Sequence, residues 1–61
     1  MKKYRVNYGF MSACEHSINI LCDEKDAHAI AYAIYKGEIG DELGVLTISD
    51  GENETILIDR M

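Results

Sequence analysis

The sequence predicts a small α+β domain of order ββαββ, with four strands in a mostly antiparallel sheet and one helix packed on one face. Three observations lead there. Residues 3–10 alternate with period two, residues 24–36 carry an apolar stripe at helical spacing, and an Asp-Gly pair at 50–51 separates two further apolar runs.

The first alternating run places Tyr4, Val6, Tyr8 and Phe10 on one face and Lys3, Arg5, Asn7 and Gly9 on the other. Aromatic residues on one side of a strand supply large apolar area to a core. A second run, 15–22, sets His16, Ile18, Ile20 and Cys22 against Glu15, Ser17, Asn19 and Leu21. Met11 to Cys14 connects the two as a hairpin, although no Asn-Gly signal marks the turn.

Asp23 suits the N-cap of a helix, where its carboxylate can accept a bond from an orphan N–H of the first turn. Glu24 and Asp26 then lie near the positive end of the helix dipole, and Lys36 near the negative end. Ala27, Ile30, Ala31 and Ile34 repeat at i, i+3, i+4, i+7 and form one stripe, while Ala29 and Ala33 add helix propensity. Gly37 is the expected left-handed residue after the helix, which is placed at 24–36. The acidic loop 37–43 follows, with Ile39 and Leu43 as its anchors to the core.

Residues 44–49 and 54–60 read as strands around Asp50-Gly51-Glu52-Asn53. Strict alternation directs Leu46, Ile48, Ile56 and Ile58 to the core. It leaves Leu21, Val45 and Leu57 on the other sheet face, among Arg5, Asn7, Thr47 and Thr55. Nothing remains in the chain to cover those three. A contiguous apolar cluster there would be a partner surface.

With 61 residues the chain is one domain. A core this small is marginal, so a disulfide, a metal or a partner subunit is the usual supplement. The 48% hydrophobic and 28% charged content excludes a disordered chain. Neither a membrane span nor a secretory h-region is present, and the expected location is cytoplasmic. In that compartment Cys14 and Cys22 are expected to be free thiols. The net charge is −5, and between Gly37 and Asp59 seven acids stand without a base, which opposes direct binding to a phosphate backbone.

Several residues could carry chemistry. Cys14, His16, Cys22 and His28 are four possible zinc ligands, but their spacing lacks the two close pairs of structural zinc sites. The plainer reading is two semi-buried thiols, a turn histidine and a histidine on the helix surface. Cys14 with His16 could form a nucleophile pair, yet no orienting third residue or oxyanion site accompanies them. Gly37, Gly40 and Gly44 match no phosphate-binding loop, and the acids around them would repel a phosphate. Asp50, Glu52 and Glu54 lack the rest of a calcium loop and suit a solvated turn. Tyr4, Tyr8 and Phe10 could stack bases, but the alternation puts Lys3 and Arg5 on the opposite face, which favours core packing.

No motif is specific enough to name a family. The expected function is that of a small acidic, non-enzymatic protein-binding module, without a cofactor, that self-associates as a homodimer. Its expected contact residues are Leu21, Val45 and Leu57 on the uncovered face and Glu38, Asp41 and Glu42 in the acidic loop. Two alternatives are an acidic inhibitor of a nucleic-acid-binding protein and a domain stabilised by zinc through Cys14, His16, Cys22 and His28.

Overall fold

The structure is a computed structural model, and it describes residues 1–11, 14–40 and 43–59. Its elements run β1 (Lys2–Phe10), β2 (His16–Cys22), α1 (Glu24–Glu38), β3 (Gly44–Ser49) and β4 (Glu54–Asp59). The strands form one sheet in the order β2-β1-β3-β4, and each neighbouring pair is antiparallel. The ββαββ fold with one helix is therefore the observed one. Residue 60, placed in the last strand from sequence, lies outside the described residues.

The core follows the period-two pattern across the sheet. Val6 pairs with Ile18 on one side and Ile48 on the other, and Tyr8 with His16 and Leu46. Tyr4, Val6, Tyr8, Leu46 and Ile48 are buried on this face, and Val6 and Leu46 have no exposed surface at all. Phe10, expected in the same row, is 46% exposed at the end of β1, where its partner across the sheet is Gly44.

Helix α1 lies over the central strands β1 and β3. Ala27, Ala31 and Tyr35 are buried at four-residue steps, and Ile39 continues the line at the helix end, while Ile30 and Ile34 are half-buried on its flank. This longer line explains why the helix does not stop at Gly37. Burying Tyr35 and Ile39 carries it on to Glu38, and Gly40, at φ +74°, is the left-handed residue instead. Its N–H and that of Ile39 both donate to the Tyr35 carbonyl, at 3.3 and 2.7 Å. At the other end Asp23 occupies the N-cap with extended backbone, but its carboxylate makes no capping bond. The backbone carbonyl of Asp23 accepts the Asp26 N–H at 3.0 Å instead, and the carboxylate sits 4.0 Å from the Met1 amino group. Of the two expected loop anchors, Ile39 is buried and Leu43 is exposed, its carbonyl accepting the Met11 N–H at 3.0 Å.

The β3–β4 turn is built by Asp50. Its carboxylate accepts the N–H groups of Glu52 at 2.9 Å and Asn53 at 2.8 Å, and Ser49 Oγ accepts that of Gly51. Gly51 has φ +97°, a conformation that costs glycine little.

A candidate protein-binding edge

Leu21, Val45 and Leu57 do not gather into one patch. Leu21 is exposed on the outer strand β2, opposite Lys3, whereas Val45 pairs with Gly9 at the far end of β1 and is buried. Leu57 leaves the open face altogether. The pairing of β4 with β3 slips between Leu46 and Thr47, so that Ile58 faces Leu46 while Ile56 faces Thr47. This bulge reverses the alternation expected for β4 up to Leu57, while Ile58 keeps its expected core side. Ile56 turns out to solvent at 61% exposure, and Leu57 packs, half-buried, against the core. Thr55 joins the helix side, lining a small cavity with Tyr4, Ala27, His28 and Ile48. The centre of the open face is polar: Asn7 Nδ2 donates to Thr47 Oγ1 at 3.3 Å.

The acids do not converge on one surface among the described residues. Glu38 ends the helix, Glu52 sits in the β3–β4 turn, and Glu54 and Asp59 occupy opposite ends of β4. Asp41 and Glu42 lie outside the described residues. Asp50 is committed to its turn. The N–H groups of Asn53 and Glu52, and then the Lys2 ammonium at 3.3 Å, hold its carboxyl at about 2, well below the usual carboxylate value. The same contact raises the pKa of Lys2, and burial raises that of Tyr4.

The four possible zinc ligands do not gather into one site. Cys14 is exposed, Cys22 is buried, and both are free thiols. His16 and Cys22 stand at opposite ends of β2, about 20 Å apart at ~3.3 Å per residue. His16 is a strand residue rather than a turn residue, and its ring stacks on Tyr8 with centroids 5.2 Å apart. Among the described residues no three of His, Cys, Asp and Glu come close enough to hold a metal.

The hollows of the described surface include a small cavity and an open depression. The cavity between Tyr4, Glu24, His28 and Asn53 holds about 110 Å³, below the ~300 Å³ at which substrate pockets begin. The other, about 430 Å³, is an open depression on the sheet face rather than an enclosed pocket, lined by Lys3, Arg5, Asn19, Ser49, Asp50 and Gly51. Its serine and aspartate are the two side chains that accept the turn N–H groups.

What the fold does leave available is the outer edge of β2. A sheet edge presents unpaired N–H and C=O groups to any extended segment, and most edges are defended by charge, proline or a bulge. Strand β4 has the bulge and an acid at each end. Strand β2, His-Ser-Ile-Asn-Ile-Leu-Cys, has no charge and no proline, and it pairs with β1 without a slip over seven positions. The core is also open on this side. His28 lies toward β3 and β4, so at 100° per residue Ile30 and Ile34 occupy the opposite helix flank, toward β2. Together with Ile18, 37% exposed, and the half-buried Ile20, they leave apolar surface beside the bare edge. Reasoning from sequence missed this site. Its signal, an uncharged strand, is present in residues 16–22, but it acquires meaning only once β2 is known to be an outer strand.

No family model, no curated protein and no solved structure matches the chain. Among the described residues no helix is long and apolar enough to cross a membrane.

Proposed function

We propose that this chain is a non-enzymatic protein-binding module that works by strand addition: an extended segment of a protein partner pairs with the outer edge of β2. The observation that carries this reading is the contrast between the two edges of one sheet: β4 is bulged and holds an acid within each end, whereas β2 is regular and holds no charge between His16 and Cys22. Backbone hydrogen bonds along β2 would supply affinity, and the apolar strip of Ile18, Ile20, Ile30 and Ile34 would add side-chain contacts on the helix side.

Affinity capture from an extract of the source cell tests the proposal, with three baits compared: the native chain, Asn19→Lys on β2 and Ile56→Lys on β4. Both substituted positions are exposed, so the fold tolerates them. Proteins held by the native chain, copies of itself included, should be lost with Asn19→Lys and kept with Ile56→Lys. Equal retention by all three baits would place binding elsewhere on the molecule.

A further inference from the structure

We infer that the segment paired with β2 is β2 of a second copy of this chain, so that two sheets join antiparallel into one of eight strands with both helices on the same face. This rests on the strand-addition reading above and names its partner.

Symmetry accommodates a second copy, and charge selects β2 rather than β4 as the edge it would use. A two-fold contact must be self-complementary. Centred on Asn19, antiparallel β2 strands pair along their whole length: His16 with Cys22, Ser17 with Leu21, Ile18 with Ile20, and Asn19 with its own counterpart. Directly opposed residues share a face, so on the helix side Ile18 and Ile20 of each copy meet as two apolar cross-strand pairs. The half-buried Ile30 and Ile34 of both helices then line the groove above them. On the open side the two Asn19 side chains meet, and amides can both donate and accept.

The chain carries a net charge of −5, so a contact between copies works against repulsion and is least opposed where the paired strands themselves carry no acids. Pairing through β4 does the reverse: a full antiparallel overlap sets Glu54 against Asp59 at both ends. Strand β2 introduces no charge of its own. One position beyond the paired length the same register sets Glu15 opposite Asp23 of the second copy; both are exposed and outside the strands, so they limit the overlap and add a repulsion that salt screens.

The test uses the full chain with Cys14→Ser, which removes the exposed thiol. Sedimentation equilibrium should give a dimer, tightened by added salt. Adding Asn19→Cys places two thiols at the two-fold axis, where opposed Cα atoms ~4.5–5.5 Å apart suit a disulfide. Mild oxidation should then link nearly all chains in pairs, whereas Ile56→Cys on β4 should leave them unlinked. Asn19→Lys should weaken the dimer at least tenfold while leaving the circular dichroism unchanged. A monomer at every concentration, or a dimer linked through position 56 and not 19, overturns the inference. A monomer that still captures other proteins through β2 would leave strand addition standing and remove only the second copy as its partner.

Discussion

A β-carbon on Gly44 would stand 2.8 Å from the hydroxyl oxygen of Tyr35, because the end of the helix, β1 and β3 close together at this point. The same atom would lie 2.7 Å from the Gly9 carbonyl oxygen and 3.1 Å from Ile39 Cγ2. The backbone oxygen cannot yield without disturbing the pairing of β1 with β3. Gly44→Ala is therefore expected to destabilise the domain by ~1–3 kcal/mol through overpacking. Urea denaturation followed by circular dichroism measures it; an unchanged midpoint would mean that the helix end sits farther from the sheet.

The helix terminus makes opposite predictions for two glycines. Gly37 is within the helix, has open space where a side chain would go, and does not have positive φ, so Gly37→Ala should stabilise by ~0.5–1 kcal/mol. Gly40 has equal space but φ +74°, and Gly40→Ala should cost ~1–2 kcal/mol. The two thermal midpoints should move in opposite directions. A helix ending at Gly37 would instead make Gly37→Ala the destabilising change.

The bulge in β4 can be checked by polar substitution. Ile56→Ser should change stability by no more than ~0.5 kcal/mol, as exposed positions do. Leu57→Ser should cost at least ~1 kcal/mol, since its half-buried side chain packs on the core. Guanidinium titrations of the pair give the ranking, and strict alternation along β4 predicts the reverse order.

Asp50 gives the stability an acid limb. Its carboxyl is lowered from 3.8 to about 2 by the turn N–H groups and Lys2, so the folded state favours the ionised form. That contribution is complete above the unfolded value of 3.8 and is lost as the pH falls toward about 2. Asp50→Ala removes it at every pH. The stability gap between native chain and variant should be constant near neutrality and should narrow progressively below pH 3.8. A gap that stays the same across the acid range would show that the carboxylate's charge is not what holds the turn.

Much of the architecture is written locally. The aromatic alternation of Tyr4, Val6 and Tyr8, the acids at Glu24 and Asp26 and the turn at Asp50-Gly51 each act over a few residues, and each produced the expected element. The candidate site was not legible in the same way. Leu21, Val45 and Leu57 were grouped by parity within their own strands, but strand order separates Leu21 from Val45, and a one-residue slip exchanges the roles of Ile56 and Leu57. Parity survives only while pairing is regular, and a bulge is a property of two strands together.

The sequence by itself determined the number, kind and order of the elements, since hydrophobic period, turn chemistry and helix charge pattern are short-range effects. Only the tertiary structure decided that β1 and β3 are central and β2 and β4 outer, that the helix runs past Gly37 to bury Tyr35 and Ile39, and that β2 faces outward undefended. Those outcomes depend on which distant surfaces bury one another. Val6 and Leu46, forty residues apart, become fully buried in the same layer, and their neighbourhood leaves Ile18 at the rim beside an open edge.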